Sequence, residues 1–215
     1  MSGSRERILG RVKEALAGRP ASEYPGAFPG DPATNRGESA LEAEGDDERS
    51  RRVNRFREMM ETAGAEVKTF NGVEEARAWL EAFVEGFSSG VYGRTVPESL
   101  RIPLEEREPA AAELGVSMAR CAVAETGSLI LDARDGRRSQ LLPPTQVVWV
   151  WSRTIHGSAL EFLRELNTEP LPSAVGLHSG PSKSADIGQI MVRGIHGPGR
   201  LIAGILEGLQ DPGPA

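Results

Sequence analysis

The chain has 215 residues, 39% of them apolar, and 31 acidic against 25 basic side chains give it a formal charge of −6. That length and apolar share suit one sizeable α/β domain with an appendage, while the acidic balance excludes the basic footprint of a nucleic-acid binder. No apolar run nears the ~20 residues of a membrane span, and the amino-terminal segment lacks a signal peptide's apolar core, so no membrane span and a cytoplasmic location are expected.

Ile8, Leu9, Val12, Ala15 and Leu16 recur at helical spacing and predict an amphipathic helix over Ser4 to Ala17, stopped by Gly18 and Pro20. From there to Gly45 the chain carries Pro20, Pro25, Pro29 and Pro32 among Gly, Ser and Glu and reads as a linker. The helix must lay its apolar face somewhere. Its own domain is the default expectation, and a homo-oligomer contact through it is the other.

Asp46 to Ala63 reads as a second helix, with Val53, Phe56, Met60 and Ala63 on one face and Gly64 as its carboxyl-terminal cap. A strand follows over Ala65 to Phe70. Asn71 with Glu74 three residues on reads as a capping box for a helix carrying Ala76, Trp79, Leu80 and Phe83. Gly90 to Tyr92 is a short buried strand, and Pro109 to Leu114 reads as helical. Met118 to Ala124 and Ser128 to Leu131 are apolar runs expected of strands covered on both faces, joined by Glu125-Thr126-Gly127.

Arg134 to Arg138 reads as a loop, Val147 to Trp151 as a strand, Ser158 to Leu166 as a helix, and Ala174 to Leu177 and Leu201 to Leu206 as further strands. Helix and strand alternate imperfectly. A mixed, mostly parallel sheet between helical layers is therefore expected. Cys121 falls within a core run and reads as a small buried apolar residue; alone it can neither close an internal disulfide nor supply the thiolates of an iron–sulfur cluster.

The chemistry concentrates in three places. The first is the elbow Ser179-Gly180-Pro181-Ser182-Lys183-Ser184-Ala185-Asp186-Ile187, where Gly and Pro turn the backbone and Ser182 or Ser184 can cap a short helical turn. Its exposed amides with Lys183 could hold a phosphate or carboxylate; equally, Ser184 and Asp186 could simply cap and charge that turn. The second is Glu125-Thr126-Gly127-Ser128. Glu125 is either a turn residue paired locally or a ligand-facing carboxylate at a strand end.

His196, between Gly194 and Gly197-Pro198, is the third: an accessible imidazole or a turn histidine bonded to backbone. His156 and His178 read as bland. Three isolated histidines and one cysteine show no metal-ligand spacing, and no P-loop, GxGxxG or GxSxG pattern is present, so no metal or nucleotide site is expected.

Together AETGS (Ala124 to Ser128), GPSKSADI and GIHGP resemble the marks of the LutC/YkgG family, the LUD-domain proteins of lactate utilisation, and the similarity runs from about Asp46 to the last strand. The resemblance implies a three-layer α/β/α sandwich of the NagB/RpiA/CoA-transferase-like kind. It divides the chain into an amino-terminal helix and linker (1–45), a LUD-type domain (46–211) and a tail (212–215). It also implies a subunit that oxidises L-lactate to pyruvate together with iron–sulfur partner proteins, the clusters residing on the partners and no cofactor bound by this chain.

A small-anion pocket would then draw on Glu125, Thr126, Gly127, Ser128, Gly180, Ser182, Lys183, Ser184, Asp186, His196 and Gly197. In CoA-transferase relatives a Glu before a Gly-containing turn is the nucleophile, and Glu125 is similar in kind. A free-standing acyl-, CoA- or phosphate-ligand enzyme is the alternative, and a non-catalytic scaffold a third. The chain departs from the family pattern at Gly188, commonly Glu in relatives, which loosens the turn by up to ~1 kcal/mol. It also lacks the histidine that relatives often carry in the segment around Gln146.

Overall fold

The computed structural model describes residues 3–17, 45–166, 171–185 and 191–208. The chain divides into two units, one holding helix α1 (Gly3–Leu16), the other everything from the second helix onward. Most of the expected linker, the tail, and Asp186 to Ile190 of the elbow lie outside the described residues.

Helix α2 (Asp46–Thr62) opens on three acidic residues and buries Val53, Phe56 and Met60 along one stripe, as their spacing predicts. It ends in a paired backbone motif: Ala65 N–H donates to Met60 O and Gly64 N–H to Glu61 O. Gly64 takes the left-handed conformation (φ 91°) that this ending requires. Strand β1 (Glu66–Phe70) follows at once. Helix α3 (Val73–Val84) then buries Ala76, Leu80 and Val84, each four residues from the last. Its start differs in detail from the expected capping box. Glu75, not Glu74, reaches back, its carboxylate accepting Asn71 N–H and Nδ2–H at 2.8 and 3.0 Å.

Strands β2 (Gly90–Tyr92), β3 (Leu114–Met118), β6 (Thr145–Trp151) and β11 (Arg200–Leu206) join β1 in one all-parallel sheet, in the order β1-β11-β6-β3-β2. Central β6 explains why the run TQVVWVW is almost wholly apolar. Val148 and Val150 face a core with α2, whereas Val147, Trp149 and Trp151 face a core with α3, so neither side meets water. The α/β class expected from the sequence holds, with the parallel sheet as the middle layer.

Antiparallel pairing lies outside that sheet, most of it in a second, mixed one, β7-β4-β5-β8, made of β4 (Cys121–Val123), β5 (Ser128–Asp132), β7 (Ile155–His156) and β8 (Val175–His178). The run expected as one strand over Met118 to Ala124 is thus two. At Ala119 and Arg120 the backbone changes partners, from Trp149 O in the first sheet to Ile130 O in the second. Residues 109–111 form only a turn. Ala111 and Ala112 donate to Glu108 O, after which Leu114 is drawn into β3 beside β6, which outweighs the local helical preference.

Of the loop expected over Arg134 to Arg138, the last two residues instead begin a short helix, α4 (Arg137–Leu141). Ser139 Oγ donates to Gly136 O, and Gln140 Nε2 bonds Asp132 O and the buried Asp135 carboxylate. Helix α5 (Ala159–Leu166) packs Phe162 on the outer face of the second sheet with Cys121, Val123 and Ile130. Cys121 is buried, and burial pushes its thiol far above the ordinary range, so it serves as a small core residue.

Candidate functional site

Within the described part of the elbow no helical turn forms. Lys183–Ala185 is a strand, β9, paired antiparallel with β10 (Met191–Arg193), so Ser184 stands opposite Val192. Backbone partners close at hand decide this. Ser182 N–H donates to Pro198 O at 2.7 Å and Gly194 N–H to Ser182 O at 3.0 Å, stitching the elbow to the GIHGP loop. Among the described residues no helix begins at the elbow to offer its N-terminus to an anion.

The three sequence motifs nevertheless gather around the last turns of α2. Gly127 (φ 60°) lies so close that a Cβ would stand 2.6 Å from Met59 Cβ and 2.8 Å from Met60 N. Gly180 approaches Ala63 in the same way, a Cβ there falling 3.0 Å from Ala63 Cβ. The Lys183 ammonium donates to Ala63 O, placing a cation on the negative end of α2. Hydroxyls run between the motifs: Thr126 Oγ1 lies 2.7 Å from Ser128 Oγ, which lies 2.6 Å from Ser179 Oγ. Ser182 Oγ accepts His196 N–H at 3.3 Å, and Gly197 rests against the same serine.

Glu125 turns away from this gathering. Its backbone N–H donates to Gly157 O, and its carboxylate accepts the Ala159 N–H at 3.4 Å at the start of α5, an exposed capping contact. Among the described residues no hydrogen bond or ion pair joins Glu125 to Ser184 or to the exposed His196. Asp186 lies outside the described residues.

Of the bland histidines, His178 sits on β8 opposite Leu129, where burial lowers its pKa and holds it neutral at pH 7. His156 stands in β7 rather than in a loop. It is buried, with Nε2 3.1 Å from Glu165 Oε2 of α5, and Arg120 Nη2 is 3.1 Å from the other carboxylate oxygen. Contact with His156 first, then with Arg120, holds Glu165 below the usual carboxylate range against the opposing effect of burial.

The elbow and the GIHGP loop lie where β1, β6 and β11 begin, beside the Arg200–Glu66 ion pair. Open parallel sheets commonly bind ligands at the other edge, beyond the carboxyl ends of the strands. There a hollow of about 430 Å³ opens among Asn71, Gly72, Val73, Glu74, Glu75, Trp151, Glu207 and Gly208. The motifs pointed away from it. The signal that could have found it is that three strands end at Phe70, Trp151 and Leu206, beside a helix start.

Gly127 offers a direct check on the packing of the motifs. Gly127→Ala forces both a left-handed alanine and a clash with the α2 backbone, so a loss of about 2 kcal/mol or more is expected in urea unfolding. A loss below about 0.5 kcal/mol would show that the turn is not seated on α2 as described.

A parallel sheet layered between helices, continued into a small antiparallel sheet and carrying these motifs, defines a LUD-domain protein; residues 105–205 match the LUD domain. The chain is 30% identical over 154 residues to lactate utilization protein C of Halalkalibacterium halodurans, a match covering 68% of this chain and 65% of that protein. It is 33% identical over 103 residues to the uncharacterized protein YkgG of Escherichia coli, covering 45% of each. These matches span about two thirds of the relatives' length at most. The fold is also that of a DUF162 family protein from Deinococcus radiodurans, with TM-score 0.55 and 18% identity over 73% of this chain and 97% of that one. The family that the chain resembles is thus LutC/YkgG.

Proposed function

We propose that this chain serves lactate utilisation as a LutC-like subunit of a system that oxidises L-lactate to pyruvate, working in the cytoplasm with iron–sulfur partner proteins. The observation that carries the reading is the likeness to lactate utilization protein C. The two electrons of that oxidation need an acceptor. With one buried cysteine whose thiol resists ionisation, the donor set here does not fit an iron–sulfur cluster, which favours clusters on the partners.

This chain's own part would be to hold a small anion and help assemble the system. Ser182, Lys183, Ser184, His196 and Gly197 belong to the elbow and loop that are stitched together, and a cation with hydroxyl and amide donors would suit a 2-hydroxy carboxylate. Thr126, Gly127, Ser128 and Gly180 would shape that surface from behind, through their contacts with α2 and with Ser179.

The test is a deletion strain grown on L-lactate, paired with affinity capture of the tagged full-length chain. Impaired growth and recovery of iron–sulfur proteins are the expected results; normal growth with no partner recovered would end this reading. Glu125 favours the second reading, a free-standing acyl or CoA enzyme, because its carboxylate is exposed and held by one long contact. Turnover of acyl-CoA and acid pairs by the purified chain, lost in Glu125→Gln, would establish that reading instead.

A further inference from the structure

Strand β8 is the outer strand of the second sheet, and the edge that it turns away from β5 has no strand partner among the described residues. The phase of its hydrogen bonds follows from β5. Ala133 N–H donates to Ala174 O, so Ala174, Gly176 and His178 direct their backbone groups at the β5 side, and by alternation Val175 and Leu177 direct theirs outward. Natural edges are commonly guarded by a charge, a proline or a bulge. Val175-Gly176-Leu177-His178 has none of these: its register is continuous, and burial keeps His178 neutral.

The side chains beside this edge are apolar and uncovered. Leu177 stands opposite Ile130 and so shares the outer face on which α5 packs, yet it is 56% exposed. On α5, Phe162 and Leu166 face that sheet and Glu165 leans to β7, which puts Leu160 and Leu163 on the opposite flank, toward β5 and β8. They are 56% and 55% exposed, and Leu171, in the approach to β8, is 72% exposed. Four leucines so exposed present roughly 400 Å² of apolar surface, half of the roughly 800 Å² per partner that a stable complex buries.

This edge is complementary to itself. With a two-fold axis at Gly176, an antiparallel second copy sets Val175 of each chain against Leu177 of the other, and both pairs can exchange their outward N–H and C=O groups. Gly176 then meets its own counterpart at the position without hydrogen bonds, where two strands approach to about 4.5 Å and a missing side chain leaves room. Because that axis stands perpendicular to the sheet, the leucines of both copies fall on one face. Charge does not oppose the approach, since Asp132, opposite Val175, is paired with Arg134 at 3.3 Å. We propose that β8 is a homodimer edge, at which two copies of this chain join their second sheets into one continuous sheet.

Sedimentation equilibrium of the full chain, with amide hydrogen exchange read by NMR, tests this. Reversible association to twice the 23.1 kDa chain mass is expected by about 100 μM, with the Val175 and Leu177 amides slowing as concentration rises and those of Gly176 and His178 slow throughout. Leu177→Lys changes an exposed side chain, and Val175→Pro removes an N–H that β5 does not use, so both are expected to fold. Each should weaken association roughly tenfold or more. A chain that stays monomeric at that concentration overturns the proposal. So does a dimer whose Val175 and Leu177 amides exchange freely, or one that either folded variant leaves intact, because the contact then lies elsewhere. Lactate growth and partner capture bear on the lactate reading alone, and none of these readouts depends on them.

Discussion

Replacing Gly204 with alanine is expected to cost about 3 kcal/mol or more, the upper end of what overpacking a core costs. Gly204 lies in β11 directly opposite Trp149 of β6, and the indole lies across the bare glycine. A Cβ there would stand 2.3 Å from two ring carbons. The ring has nowhere to go. Phe70 and Trp79 hold it edge-on at centroid distances of 5.6 and 5.9 Å, and it is fully buried. Trp149→Leu alone opens a cavity and should cost about 3 kcal/mol. In the double variant the new methyl occupies part of that space, so the two losses should fall short of their sum by about 1 kcal/mol or more. Urea unfolding of the four proteins decides it, and simple additivity would mean that the ring and the glycine do not share this space.

That pair also shows how far the fold could be read from sequence. Val147 to Trp151 announces a strand buried on both faces, and Leu201 to Leu206 announces another. Neither reveals that Gly204 is a seat for an aromatic ring, because register between distant strands is set by tertiary pairing. The same limit governs the misread segments. Ala119 and Arg120 look like more of the apolar run from Met118 to Ala124, yet their amides mark the step from one sheet to the next. Pro109 to Leu114 has the composition of a helix and loses Leu114 to a strand position between β2 and β6.

The motifs were legible as motifs and less so as geometry. Gly127, Gly180 and Gly197 drew notice as turn residues, and two of them are places where backbone must approach α2 closely. Ser182 and His196 were expected near one another and are joined through the serine hydroxyl. A capped helical turn after Ser182 was the natural local inference from Ser, Lys and Ser. Over Lys183 to Ala185 a strand forms in its place, because β10, several residues downstream, offers each of the three a partner. Glu125 stood open between a locally held turn residue and a ligand-facing carboxylate; its contact is with a backbone N–H, that of Ala159 in the first turn of α5, a partner that sequence proximity could not disclose.

His156 was the histidine that spacing passed over, and with Glu165 it carries the second large expected effect. Glu165 joins α5 to two neighbouring strands of the second sheet, meeting His156 of β7 and Arg120 just ahead of β4 at 3.1 Å each. Glu165→Gln keeps the shape but removes the charge these partners are arranged around. A cost of about 2–3 kcal/mol is expected, somewhat below a fully buried pair because the side chain is 21% exposed. The folded-state pKa of Glu165 is lowered, so its contribution is complete above the unfolded carboxylate value of about 4.3 and is lost as pH falls through the lower folded value. Acidification from about 4.3 down through the folded value should therefore destabilise the natural chain more steeply than Glu165→Gln, and the gap between their unfolding curves should narrow over that window. A glutamine variant as stable as the natural chain at pH 7, or a gap that persists undiminished in acid, would show that this carboxylate does not hold α5 in place.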